Sequence, residues 1–198
     1  MTERQAGAGK ETSGAGAAGS ERSSSGHWSM ADVSVKAVSR RVAMAGGRIE
    51  VGADAMRRLL EGSLPKGDPL AMAEIAGILA AKKTPELIPL CHPIGLNRVA
   101  VRFEPLPDEN AVAAWCLAEI AERTGVEMEA LTGLNLALLT IWDLVKPVEP
   151  ALRISDVKLL YKSGGKHGDW THPDGMDDAA RGCLAEFTGQ DTMGYSGP

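Results

Sequence analysis

The stretch from Val126 to about Val145 constrains the fold more than any other part of the chain. It is long and largely apolar, Thr124 can cap its start, and Pro147 and Pro150 stop it. It reads as one long helix. Two alternating segments precede it. In residues 98–104, Val99, Val101 and Phe103 share one face while Arg102 and Glu104 take the other. Residues 111–120 alternate likewise, which predicts an antiparallel pair with one face packed. A long helix beside such a pair points to an α+β sandwich, an antiparallel sheet with helices packed on one face.

The remaining elements fit that plan. Short strands at 41–44 and 48–51 flank Gly46-Gly47, a pair compatible with a hairpin turn. Residues 53–62 carry Met56, Leu59 and Leu60 at helical spacing. Asp68 is placed to cap the next helix, with Pro69 at its first position. That helix runs to about Lys83 and packs through Leu70, Ala73, Ala76, Gly77 and Ala80, small enough for another element to approach closely. Residues 152–161 give a last strand. The expected order is β-β-α-α-β-β-α-β.

Residues 1 to about 30 are rich in Gly, Ser and charge, so they cannot bury enough surface to offset ordering entropy. They read as a disordered tail. The folded domain is expected at 31–170. Residues 171–198 read as a flexible tail with one short helical turn in 179–187. The chain of 198 residues is 44% hydrophobic, enough for one core, and its net charge of −5 argues against a nucleic-acid partner. Cys91, Cys116 and Cys183 form no CxxC pair and no disulfide framework, which fits a reducing, cytoplasmic setting. No apolar run approaches the ~20 residues that span a membrane.

Several short motifs can carry chemistry. Leu87-Ile88-Pro89-Leu90-Cys91-His92-Pro93 brackets a thiol and an imidazole between prolines, which stiffen the segment. Cys91 can be a nucleophile, or His92 can donate a hydrogen bond to a substrate; two ligands alone are too few for a metal. The second role for His92 is the favoured one. His27, His167 and His172 read as surface or tail residues. On the long helix Met128, Thr132, Asn135, Leu139, Asp143 and Lys146 share one face. Asp143 and Lys146 form either a solvated i,i+3 pair or a carboxylate that tunes a lysine for proton transfer. Glu127 and Glu129 complement the dipole at that helix's start, or Glu129 accepts hydrogen bonds from a guanine or pterin edge. Lys66 precedes a helix N-terminus, where anions are favoured. Lys162-Ser163-Gly164-Gly165-Lys166 can cradle phosphate on its backbone, although it lacks P-loop spacing.

Taken together and in order, these stretches resemble the cyclic pyranopterin monophosphate synthase family of molybdenum cofactor biosynthesis. The resemblance rests on Asp32-Val33-Ser34, Lys66-Gly67-Asp68, IAGILAAKKTPELIPLCHPI (75–94), TGVEMEALT (124–132), LTIWDLVK (139–146) and KLLYKSGGKHGDW (158–170). It implies a ferredoxin-like sandwich and a homohexamer, a trimer of dimers with the active site between subunits. The implied reaction converts (8S)-3′,8-cyclo-7,8-dihydroguanosine 5′-triphosphate to cyclic pyranopterin monophosphate and pyrophosphate. It further implies Asp143, Lys66 and Lys146 as catalytic residues. Leu90, Cys91, His92, Met128 and Glu129 would contact the substrate, and Arg41, Lys82 and Lys162 would meet its triphosphate. No metal-ligand cluster and no cofactor are expected; Mg2+ accompanying the phosphates stays open.

The chain departs from the family pattern at Trp142, where tyrosine is usual, at Pro147, where alanine is usual, and at His167, where serine is usual. The stretch Leu134-Asn135-Leu136 is also more polar at its centre. None removes an expected catalytic group. The alternative is a family member that binds a pterin or nucleotide without turnover. A lysine Schiff-base enzyme and a purely structural oligomer are the other classes. Glu129 and Lys146, 17 positions apart, lie about 25 Å apart along one helix. One nucleotide-sized pocket can use both only if a second subunit supplies one of them.

Overall fold

The computed structural model describes residues 26–166 and 168–189. The expected disorder of residues 1–25, the end of the C-terminal tail and the His167 substitution lie outside them. The described residues 26–31 are separate from the unit that starts at Asp32, to which the architecture below belongs.

Five strands make one antiparallel sheet: β1 (Ser39–Glu50), β2 (Arg98–Leu106), β3 (Ala111–Glu122), β4 (Arg153–Ser163) and β5 (Trp170–Thr171), in the order β2-β3-β1-β4-β5. β1 and β3 pair along their whole length, from Ser39 opposite Glu122 to Glu50 opposite Ala111. The helices are α1 (Ala53–Glu61), α2 (Pro69–Lys82), the single turn α3 (Thr84–Leu87), α4 (Glu127–Val145) and α5 (Asp178–Thr188). The α+β, ferredoxin-like sandwich expected from the sequence is present, with α2 and α4 packed on one face of the sheet.

Helix starts follow local chemistry. Asp68 accepts hydrogen bonds from the Leu70 and Ala71 amides and caps α2, with Pro69 at its first position. α4 starts one residue after Val126 without a side-chain cap, so Thr124 does not serve as one. By length and composition α4 could cross a membrane. One apolar face goes into the core: Leu134, Leu138, Ile141 and Val145 are fully buried with β1 and β3 residues such as Ala43, Ala45, Cys116 and Ile120.

α2 and α4 meet at glycines. A Cβ on Gly77 would lie 2.9 Å from the Gly133 carbonyl, and one on Gly133 would lie 2.7 Å from Cys116 Sγ. Any larger side chain would push the helices apart, since interiors are close-packed.

Gly46-Gly47 makes no turn; β1 runs straight through it as a 12-residue strand. The glycines serve close approach: a Cβ on Gly46 would sit 2.5 Å from Leu160 Cδ1, and one on Gly47 3.0 Å from Val157 Cγ2. Glycine in a strand interior marks such crowding as readily as a bend.

The segment read as one short turn is an 11-residue helix, α5, capped by Asp177 and ended by Gly189 in the left-handed region. It adds cover to the second face of the sheet. Ala180 and Phe187 are buried there with Val42, Met44, Trp115 and Leu117. The Arg98 guanidinium lies 4.3 Å from the Phe187 ring centre and donates 2.7 Å to the Phe187 carbonyl. The central strands are therefore buried on both sides, which the one-sided alternation of β2 does not announce.

Candidate active site

Two groups of functional side chains form, one at each end of α4. At its C-terminal end, Lys146 Nζ lies 2.7 Å from Asp143 Oδ1. Lys66, from the loop before α2, donates to Asp143 Oδ2 at 3.1 Å and to the Asp143 carbonyl at 2.9 Å. The loop bends there through Gly67, at φ 88°. One carboxylate thus holds two ammonium groups, and Lys66 lies 77 positions from it in the chain. The Lys146 hydrogen bond, then that of Lys66, holds the Asp143 carboxyl below its ordinary range. Two cations beside the last turn also suit the negative end of the helix. The solvated i,i+3 pair of Asp143 and Lys146 is present, both side chains more than half exposed, and Lys66 joins it from a distant loop.

At the N-terminal end, Glu129 is only 3% exposed. Burial pushes its carboxyl up to about 7, and the neighbouring Glu127 charge adds to the rise. Burial, with the nearby Glu129, also pushes the Cys91 thiol up. A raised thiol pKa is the reverse of what a nucleophilic cysteine needs. The loop carrying Cys91 leaves α3 in a turn closed by the Cys91 amide on the Ile88 carbonyl, 3.1 Å. Leu90, Cys91 and His92 are partly exposed along it. Met128 faces outward, 38% exposed.

β4 brings Lys162 to the same end, where its Nζ lies 3.0 Å from Glu127 Oε1. Gly125 makes room for this pair: a Cβ there would fall 1.9 Å from Glu127 Oε2. Arg41 donates to the Glu122 and Arg123 carbonyls, at 3.1 and 3.2 Å. Lys82 is exposed at the end of α2, just ahead of α3.

The structure therefore brings Lys66, Asp143 and Lys146 together, and gathers Glu129 with Cys91 and Lys162 with Glu127. Within one chain it does not bring the two groups to one place. Glu127 takes on a role beyond the one its place at the helix start predicts. Its acidity at a helix start is explained by the dipole alone, and only the tertiary position of Lys162 gives it a second role.

Both helices expose apolar side chains between the two ends: Leu136 and Leu139 of α4 are 40% and 53% exposed, and Met72, Ile75 and Leu79 of α2, which packs on α4, are each more than half exposed. Among the described residues, no group of three or more His, Cys, Asp or Glu is placed to hold a metal ion.

An α+β domain with two lysines on one carboxylate at one end of its core helix, and a buried carboxyl at the other, carries the groups that acid–base chemistry uses. The chain belongs to the MoaC family, which it matches over residues 30–165. It is 49% identical over 142 residues to the cyclic pyranopterin monophosphate synthase of Rhodospirillum rubrum, covering 72% of this chain and 86% of that protein. The synthase of Chloroflexus aurantiacus is 46% identical over 148 residues, 75% of this chain and 91% of the relative. That of Corynebacterium efficiens is 47% identical over 142 residues, 72% and 90%. α5 lies beyond the matched family segment.

Proposed function

We propose that this chain is a cyclic pyranopterin monophosphate synthase. It converts (8S)-3′,8-cyclo-7,8-dihydroguanosine 5′-triphosphate to cyclic pyranopterin monophosphate and pyrophosphate in molybdenum cofactor biosynthesis. The observation that carries this reading is the Lys66–Asp143–Lys146 assembly, within a chain that matches the family along its folded domain.

Each group has a role that follows from its surroundings. Asp143 stays ionised well below neutrality, so it orients Lys66 and Lys146 and does not itself deliver protons. The two ammonium groups supply charge and proton transfer as the purine-derived ring opens and recloses. Glu129, with its pKa about 7, exists in both protonation states at neutral pH and can give or accept a proton at the ring edge. Leu90, Cys91, His92 and Met128 line the ring, His92 as a hydrogen-bond donor. Lys162 and Lys82 offset the triphosphate charge. The reading requires no cofactor.

The working unit is a homohexamer, a trimer of dimers in the cytoplasm, with each site shared between subunits. Two observations support sharing. The ends of α4 are about 25 Å apart, too far for one nucleotide. The apolar surface of α2 and α4 between them suits burial against another copy.

Turnover is tested by pyrophosphate and pterin formation from the cyclic dihydro-GTP substrate, beside a Lys66→Ala control. Product from the wild type and at least about a hundredfold less from the variant is expected. Binding without product would sink the synthase reading. Sharing is tested by mixing Lys146→Ala chains with Glu129→Ala chains; recovered activity is expected, and none would count against it.

A further inference from the structure

We infer that Arg41 is a positioning residue that clamps the two backbone segments carrying the N-terminal group of the site. The inference rests on the synthase reading for its kinetic consequences and on geometry for the clamp itself.

Arg41 lies early in β1, opposite Ile120 of β3, and its next neighbours Val42 and Ala43 pair with Ser163 and Lys162 of β4. Its guanidinium reaches two segments. Nε donates to the Glu122 carbonyl and Nη2 to the Arg123 carbonyl, at the bend that leads into α4. On its other side is the Gly164-Gly165 loop that follows Lys162. A Cβ on Gly165 would fall 2.4 Å from Arg41 Nη1 and 3.0 Å from Cζ. A Cβ on Gly164 would fall 2.2 Å from the Arg40 carbonyl. Both glycines hold positive φ, 85° and 77°. The loop is glycine because it lies directly on β1 and on this guanidinium.

The clamped segments are the ones that deliver Glu127 and Lys162, whose side chains meet at 3.0 Å. Arg41 fixes the backbone on both sides of that contact. Arginine suits the task because its planar fork spans two carbonyls at fixed geometry, whereas a lysine is a point charge that can satisfy them only loosely. With Nε and Nη2 on two carbonyls and a glycine loop packed against Nη1, the guanidinium acts on the triphosphate through Lys162. This differs from the direct phosphate contact that family resemblance implies.

Kinetics and hydrogen exchange on the full-length protein test it together. Arg41→Lys keeps the charge and is expected to raise KM about tenfold, with kcat little changed. Lys162→Ala is expected to raise KM by a similar factor. Because Arg41 acts through Lys162, the double variant should show no further rise, as in a coupled double-mutant cycle. Arg41→Lys within about twofold of the wild type, or effects that multiply in the double variant, would overturn the inference. In the substrate-free protein, amides at 123–126 and 164–166 should exchange about tenfold faster in Arg41→Lys, while those around Asp143 stay unchanged. Equal exchange at 123–126 and 164–166 would overturn the clamp. If the wild type turns over no substrate, the synthase reading falls, and the exchange measurement alone decides the clamp.

Discussion

Replacing Glu129 with glutamine should change how stability depends on pH, and by an amount set by the burial of one carboxyl. In the folded chain this group ionises near 7 instead of its ordinary 4.5. That difference corresponds to about 3 kcal/mol of proton affinity. Between pH 4.5 and 7 the folded chain holds a proton that the unfolded chain has released. Raising the pH through that window therefore lowers stability. Below it both states are protonated. Above it both are ionised, and the fold carries a buried charge beside Glu127 and the Cys91 thiol. The substituted amide keeps the shape and has no proton to lose. Any constant penalty for burying an amide shifts the variant equally at every pH. The readout is thus the change in the difference between variant and wild type, from denaturant unfolding at fixed protein concentration at pH 4, 5, 6, 7 and 8. The variant should gain about 3 kcal/mol on the wild type across the series, with most of it between about pH 5 and 7. Parallel curves would refute the reasoning and mean that a cation or hydrogen-bond donor in the assembled protein already compensates Glu129.

Asp143→Asn should leave the fold intact and cut kcat about a hundredfold or more, because an amide cannot hold two ammonium groups; pyrophosphate release measures it. Gly133→Ala should cost about 1–3 kcal/mol by overpacking against Cys116 and Gly77, read as a fall in the denaturant midpoint. Phe187→Ala should cost about 3–5 kcal/mol, because the ring is buried on the second sheet face and pairs with Arg98. An unchanged melting temperature would mean that α5 contributes nothing to the domain.

The architecture was legible where one residue type had one explanation. Asp68-Pro69 marks a helix start unambiguously, and Pro147 ends α4 whatever its neighbours do. The alternation of Val99, Val101 and Phe103 assigns β2 to one packed face. A residue type with two uses leaves the local structure undecided until its neighbours are placed. Gly46-Gly47 suits a turn or a crowded strand, and only the positions of Leu160 and Val157 decide between them. The short AARGCLAEF segment has too few turns to show its apolar face by itself. It becomes a helix because Trp115 and Leu117 on β3 present a surface for it. At the site, Asp143 and Lys146 were visible as a pair, whereas their connection to Lys66 depends on a loop brought from 77 positions away. The carboxyl of Glu129 carries no mark of its burial in the sequence.

The separation of the two groups along α4 has a consequence for mass action. If a site exists only where two chains meet, the number of sites depends on association as well as on how much protein is folded. Well below the dissociation constant, the number of paired chains rises with the square of chain concentration. Halving the protein in that regime would quarter the activity without unfolding a single molecule. Substrate, by bridging the lysines of one chain and the acids of the next, would hold the pair together. The synthase would then be most completely assembled when it has something to convert.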